Sequence, residues 1–481
     1  MTRHDCTVFF LHGLGFGATS AAPLAAALGD RFRVIGIDLP GHGEAPDAAD
    51  GSVNALADAA LAVIEDEADG GPWLLAAHSM GGKAAALVAA RTLSGHANVF
   101  GLTGAVLLAP SPPTPEPMGD EKRALMLSWA EDGALSEVDA REYVAQNVAT
   151  PLAVNLEQDA VALVRRMSPL AWQRWISEGS REDVSAAVGV IDLPVIVLAG
   201  EDDDDLRASV QPGLLSAVYP RARFVSFAAT GHLLAYERAP EVAAEIVHFW
   251  ESTASAAPAV APEWSRMIAS RRTAVEARAL LAQRAIADDA NYSPTTLSPE
   301  QLATLRTLAD RLVPQSGDRR IDLAARIDAD LAMGRGDGWR PAELPDDATA
   351  YRRGLDTVAS IWPGGLAQQD DLIRMILAGE FDGGKFDGAE LDAGSSDAGK
   401  LDGDGPWSGD VLRRWFDDVR TDLARTWLAH PASLARVGYD GFATSGPGAE
   451  PAGYVNLGAG TRDPWEPAEL GSDRPIEESN A

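Results

Sequence analysis

The sequence predicts an α/β domain, built on a parallel sheet and carrying a helical cap, followed by a mainly α-helical domain. Up to about residue 250, short apolar runs alternate with Ala-rich helical stretches; between about 113 and 185, helices follow one another with no strand; and beyond a small-residue stretch near 253–263 the strands largely disappear. A chain of 481 residues also exceeds the usual span of one hydrophobic core. The expected divisions are a domain over 1–252 with its cap at about 113–185, a linker at 253–263, a helical domain over 264–467 and a tail at 468–481.

The strand candidates come in order: TVFFLHG, RFRVIGIDLP, PWLLAAHS, GAVLLAPS and LPVIVLAGE. Runs this apolar, separated by helices, read as parallel strands covered on both faces. In the cap interval, MGDEKRALMLSWAEDGAL and NLEQDAVALVRRMSPLAWQRWI are amphipathic at helical spacing. Trp129, Trp172 and Trp175 lie there, as cap packing or as the lining of an acyl pocket. STASAAPAVAPE then supplies small residues and prolines but no core. SPEQLATLRTLADRLVP opens the helical region with Ser298 as N-cap, Pro299 at the first helical position and Gln301 completing a capping box. Further helices are expected around RIDLAARIDADLA, DATAYRRGLDTVASIW, QQDDLIRMILAG and SGDVLRRWFDDVRTDLARTWLA. FDGGKFDGAELDAGSSDAGKLDGDG lacks the ligand spacing of an EF-hand and reads as an acidic loop.

Charge narrows the function. With 71 Asp and Glu against 40 Lys and Arg, the formal charge of -31 repels nucleic acid and anionic membrane surfaces. Cys6 is the only cysteine, which rules out an intrachain disulfide and any cysteine-based zinc or redox motif. Polar residues interrupt the chain too often for a membrane span, and the first residues lack the long apolar run of a signal peptide, so a cytoplasmic location is expected.

The chemistry concentrates in LAAHSMGGK, residues 75–83. An apolar strand runs into His78, Ser79, Met80, Gly81 and Gly82 and then into a strong helix former, so Ser79 sits on a tight strand-to-helix turn that projects its hydroxyl. Ser79 is therefore a candidate nucleophile. FFLHGLGFG places His12 and Gly13 directly after the first strand, so the backbone N–H of Leu14 can face an oxyanion, with the N–H of Met80 as its partner. VIVLAGEDDDD ends a late strand in carboxylates, any of Asp202 to Asp205 being the candidate acid, and AATGHLLAYERAP carries His232 before the last helix of the domain. Asp38, His12 and His42 lie in turns, as structural residues.

This order, with HG, DLPGHG, HSMGG, GEDD and GH in series over roughly 5–251, resembles the α/β-hydrolase superfamily, especially its lidded esterase and enol-lactonase branch. The resemblance implies an α/β hydrolase fold and a triad in which Ser79 attacks an acyl carbon, His232 shuttles the proton and a carboxylate orients the imidazole. In that family the acid follows the strand-ending Gly by three positions, which from Gly200 gives Asp203. The substrate implied is a small ester or lactone, with no cofactor and no metal.

The helical region, about 296–467, resembles gluconate 2-dehydrogenase subunit 3 in its LSPEQ start, its His430-Pro431 pair and its closing aromatic-Gly pattern. That implies an accessory domain whose partner is a flavin-dependent dehydrogenase, the hydrolase domain opening the lactone such an enzyme releases. No flavin is expected on this chain, which has no Gly-x-Gly-x-x-Gly turn after its first strand. The alternative is a non-catalytic interaction subunit of a dehydrogenase complex.

Overall fold

The computed structural model describes residues 4–336, 341–381, 407, 409–439 and 441. These form two compact units, one running to Ala287 and including the described residues from Leu434 on, the other Asp288–Ser433. The acidic Gly/Asp-rich segment, apart from Phe381, and the closing aromatic-Gly pattern beyond Gly441 lie outside the described residues, as does the tail.

The first unit is built on a six-stranded sheet in the order β2-β1-β3-β4-β5-β6. The strands are β1 (Cys6–Leu11), β2 (Phe32–Ile37), β3 (Trp73–His78), β4 (Leu102–Leu108), β5 (Val195–Gly200) and β6 (Ala222–Phe227), and every neighbouring pair is parallel. β1, β3 and β5 are buried along their whole length, which is why their sequences are apolar without alternation. β6 was not among the expected strands. It is an edge strand, half-covered, and Arg223 and Ser226 interrupt its apolar run, so the signature of a two-sided burial is absent.

Helices α1 (Ala22–Leu28), α2 (Val53–Glu67) and α3 (Met80–Leu93) connect the first strands. Between β4 and β5 the chain forms α4 (Asp120–Ser128), α5 (Glu137–Gln146), α6 (Val154–Arg166) and α7 (Pro169–Ser177), with no strand among them. Ser136 and Ser168 cap α5 and α7 through their side chains. α8 (Ala239–Phe249) follows β6. One apolar core joins the α2/α3 face of the sheet to Tyr143, Val164, Trp172 and Trp175 of the insertion, and a second, on the other face, joins α1 and α8.

The first unit runs past the linker expected at 253–263. Helices α9 (Pro262–Ala269) and α10 (Val275–Ala285), which the sequence reading gave to the helical domain, put Trp264, Met267, Ile268 and Leu281 into the core beneath α3. Buried Arg278 of α10 donates to the carbonyls of Gly95 and Ala97 at 2.8 and 3.0 Å. The small-residue stretch thus runs within a packed unit, from a helical turn whose Ala254 is buried in the core to the start of α9, so small-residue composition does not mark where packing ends.

The second unit is helical, with Pro299–Leu312, Leu323–Ala332, Asp347–Ile361, Leu366–Ala378 and Gly409–Leu428 around their own core. The capping box at Ser298 and Gln301 is formed.

Candidate active site

Strand order reverses between β1 and β3, so the chain leaves their carboxyl ends toward opposite faces and opens a crevice there. His12 to Phe16 follow β1 and Ser79 follows β3, which brings both to that crevice. Ser79 has φ 50° and ψ -121°, a left-handed conformation that costs a non-glycine residue about 1–3 kcal/mol. It is held there by main-chain bonds: the Ser79 N–H donates to the Leu108 carbonyl at 3.0 Å, and the Ser79 carbonyl accepts from Gly82 and Ser111 at 2.7 and 2.9 Å. The two glycines are needed because the helix start presses on its neighbours. A Cβ on Gly81 would stand 2.5 Å from the Leu11 carbonyl oxygen, and one on Gly82 would overlap Pro110.

Of the four consecutive aspartates, Asp203 is the one whose carboxylate meets the imidazole: His232 Nδ1 lies 2.6 Å from Asp203 Oδ2. The other oxygen of Asp203 accepts from the amides of Asp205 and Leu206 at 3.1 and 3.0 Å. Asp202 and Asp204 are exposed, and Asp205 pairs with Lys122 of α4 at 2.5 Å. Burial alone would raise the Asp203 carboxyl, but the charge and hydrogen bond of His232 and the two amides bring it down to about 2. Burial likewise opposes the charged imidazole, yet Asp203, with Glu116 beyond it, raises His232 above its ordinary value. An ionised Asp203 accepts from Nδ1–H, which leaves Nε2 of His232 as the basic atom.

His78, the residue before Ser79, links the nucleophile turn to the loop that carries His232. Its Nε2 sits 2.9 Å from the His232 carbonyl, and the two rings are 4.8 Å apart. Burial and the neighbouring His232 charge lower His78 to about 3, so it stays neutral and donates from Nε2. The amides of His232 and Leu233 both donate to the Asn147 carbonyl, at 2.9 and 3.1 Å, so the end of α5 also carries the histidine loop.

Leu14 lies on a tight turn from Gly13 to Phe16, closed by Phe16 N–H to the Gly13 carbonyl at 3.2 Å, with Gly15 at φ +81°. A Cβ on Gly13 would reach within 3.1 Å of the Ser79 Cβ, which sets this turn against the nucleophile candidate. Met80, the first residue of α3, presents its amide at the helix N-terminus. His12 and His42 lie beneath the turn with rings 4.7 Å apart, and Asp38 ties the loop after β2 by accepting from the amides of Ala18 and Glu44 at 2.6 and 3.0 Å.

Sequence reasoning missed three polar residues around this crevice. Lys83 of α3 is fully buried and donates to the carbonyls of Gly179, Ser180 and Glu182 at 3.3, 3.0 and 2.9 Å, and burial lowers it to about 8. Glu116 accepts from the Ser111 hydroxyl at 2.7 Å and is raised by burial. Tyr143 of α5 donates to the Leu14 carbonyl at 3.1 Å. A lone Lys on the buried face of an Ala-rich helix was the one available signal. Trp172 is buried and donates to the Met126 carbonyl and Trp129 flanks Tyr143, so these two pack within the insertion, whereas Trp175 lies under Lys83 of α3 and lines a cavity with Met80 and His42. Among the described residues no cluster of His, Cys, Asp and Glu could hold a metal ion, and no helix is long and apolar enough to cross a membrane.

The model of the Alpha/beta hydrolase family matches residues 8–245. A pimeloyl-[acyl-carrier protein] methyl ester esterase from Neisseria meningitidis serogroup C is 27% identical over 202 residues, 41% of this chain and 75% of that protein. A protein of the same name from Methylococcus capsulatus is 36% identical over 133 residues, 27% of this chain and 48% of the relative. Among solved structures, an esterase from Exiguobacterium antarcticum is 17% identical, with 52% of this chain and 93% of that one covered at a TM-score of 0.46.

Proposed function

We propose that this chain, whose N-terminal part belongs to the α/β-hydrolase superfamily, is a serine hydrolase that cleaves a carboxylic ester or lactone through Ser79, His232 and Asp203. The observation that carries the reading is the 2.6 Å contact between Asp203 Oδ2 and His232 Nδ1, at a crevice where Ser79 is held at φ 50°. The relatives named as methyl ester esterases support a carboxylic ester as the substrate class.

In this reading the Ser79 hydroxyl attacks the acyl carbon while Nε2 of His232 takes its proton, and Asp203 stabilises the imidazolium that results. The amides of Leu14 and Met80 receive the charge that develops on the carbonyl oxygen. Collapse of the tetrahedral intermediate breaks the bond to the alcohol oxygen, which leaves with the proton from Nε2. Water then gives a proton to the same nitrogen and attacks the acyl-Ser79 ester, releasing the acid and restoring the serine. In a lactone the alcohol and the acid stay on one molecule, and the product is the open hydroxy acid.

A fluorophosphonate probe tests the reading, since only an activated serine reacts. Labelling of the wild type and none of Ser79→Ala is expected; equal labelling of both would overturn the assignment. For the second unit, the LSPEQ start and the His430-Pro431 pair support docking of a flavin-dependent dehydrogenase that supplies a lactone. Purification from the native host with and without residues 288–433 tests that part: a flavoprotein that co-elutes only with the full chain is expected, and recovery of the full chain alone would remove it.

A further inference from the structure

We infer that Tyr143 is a positioning residue for the reaction: its hydroxyl, from the helical insertion, locks the turn that presents the Leu14 amide to the developing oxyanion. The inference rests on the proposed serine-hydrolase reading and adds to it a link between the insertion and the catalytic turn.

The Leu14 backbone lies between two peptide planes, and each is tied at its carbonyl. The Gly13 carbonyl accepts from Phe16 N–H at 3.2 Å and contacts His12 Nδ1 at 2.9 Å. His12 is fixed as that donor because its other nitrogen, Nε2, accepts from the Leu39 amide at 3.0 Å. Carbonyl and amide of a trans peptide point in opposite directions, so anchoring the Gly13 oxygen aims the Leu14 N–H away from His12. The next peptide is the one that can turn over. Tight turns of this size exist in two forms that differ by a flip of their central peptide, and the form with positive φ at the third residue is the one Gly15 adopts at +81°. The central carbonyl here is that of Leu14, and Tyr143 holds it at 3.1 Å, so the peptides on both sides of the Leu14 Cα are tied and its amide cannot shift as the turn rearranges.

Tyr143 is placed for this by packing, with little freedom of its own. Its ring meets Trp172 edge-on at 5.1 Å and Trp129 at 6.4 Å. Gly15 sits directly under the same group: a Cβ there would lie 3.2 Å from Val164, 3.3 Å from Tyr143 and 3.5 Å from Trp172, so α5, α6 and α7 all close on the turn. Burial, with the charges of Glu116 and Asp203, pushes the phenol far above its ordinary value, so the hydroxyl keeps the proton it donates. The hydroxyl touches no reacting atom. It acts through Leu14.

The test is Tyr143→Phe, which removes one oxygen and keeps the ring. A short ester should show kcat lower by about tenfold to a hundredfold with KM within about twofold, because an oxyanion donor acts in the transition state and not on bound substrate. Affinity for a trifluoromethyl ketone, which forms the tetrahedral adduct on Ser79, should fall by the same factor as kcat. An unchanged kcat, or a rise in KM alone, would overturn the inference and make Tyr143 a pocket wall. If the Phe variant does not fold, a ring-fluorinated tyrosine inserted at position 143 alone keeps the shape but ionises at lower pH; its kcat should fall with rising pH where the native protein's does not, and matching profiles would overturn the inference. Ser79→Ala in the same assay separates the two levels. If that variant keeps its activity, the hydrolase reading falls and this inference with it; if it is inactive while Tyr143→Phe is normal, only the role of Tyr143 is lost.

Discussion

Two buried aspartates, one in each unit, receive main-chain amides in the same way and end in different chemistry. Asp328 is 0% exposed and uses both oxygens on the fold around it. Oδ2 accepts from the Tyr292 hydroxyl at 2.6 Å and from the Thr295 amide at 2.7 Å, and Oδ1 accepts from the amides of Thr296 and Leu297 at 3.1 and 2.7 Å. Asp203, at 5% exposed, gives only one oxygen to amides and turns the other to a histidine. Burial works against ionisation in both; the charge and hydrogen bond of His232 with two amides overcome it in Asp203, and the Tyr292 hydroxyl with three amides overcomes it in Asp328, so both are held below the usual range. Amides therefore fix and ionise a carboxylate without making it a site. What differs is the last partner, a titratable ring in one case and a closed set of donors in the other.

The largest expected effects break that comparison on the catalytic side. Ser79→Ala should lower ester hydrolysis by at least about 10⁴-fold with the melting temperature nearly unchanged, and His232→Ala should match it without adding to it in the double variant. Additive losses would show that the two do not act as a unit. Asp203→Asn should cost about 10³- to 10⁴-fold, since an amide can present N–H to the ring and favour the wrong tautomer. Kinetics of the three variants on one short ester decide each point.

On the structural side, Asp328→Asn should leave kcat within about twofold and destabilise the second unit by about 3 kcal/mol, because the side-chain NH2 would face amides that need an acceptor. Thermal melting paired with an initial rate measures both. A loss of hydrolysis without a loss of stability would mean that Asp328 is no structural pin.

The same contrast explains what the sequence could reveal. TVFFL, WLLAA and VIVLAG are apolar throughout because their strands are covered on both faces, and HSMGG needs small residues where α3 presses on Leu11 and Pro110, so both could be read locally. The Ser298–Gln301 box is legible for the same reason, its partners being three residues apart. Asp203 is what the family resemblance implies, three positions past Gly200, while nothing in DDDD itself says which acid turns inward. Tyr143, Lys83 and Asn147 could not be read, since their partners lie at least 85 residues away along the chain. Helices α9 and α10 show the same limit, for amphipathic spacing reveals an apolar face and not the core it joins.

A pH profile sharpens the comparison with a smaller effect. Because Asp203 raises His232, and the neutral ring is the base, kcat/KM should increase with pH along a limb that lies above the ordinary imidazole value of about 6.5. Below that limb the ring is charged and cannot accept the serine proton. The limb belongs to the coupled pair, so in Asp203→Asn the residual activity should titrate at lower pH, burial then being the dominant influence. A limb that stays in place would mean that the Asp203 charge does not set it.

The smallest effect concerns the neighbours of Asp203 in the acidic run. Asp205 lies two residues on and even contributes to the site, but through its backbone: its N–H donates to Asp203 Oδ1, while its carboxylate points to Lys122. Asp205→Asn keeps the amide and loses the ion pair, whose side chains are 24% and 30% exposed, so the stability lost should be no more than about 1 kcal/mol. Turnover should stay within about twofold, and Asp202→Asn and Asp204→Asn, at exposed positions, should be indistinguishable from wild type. The four Asn variants compared under one set of conditions thus set one steep loss against three flat results. If Asp205→Asn fell as far as Asp203→Asn, the ion pair to α4 would be holding the acid in place, and the separation between catalytic and merely structural carboxylates would have to be drawn through the insertion as well as through the imidazole.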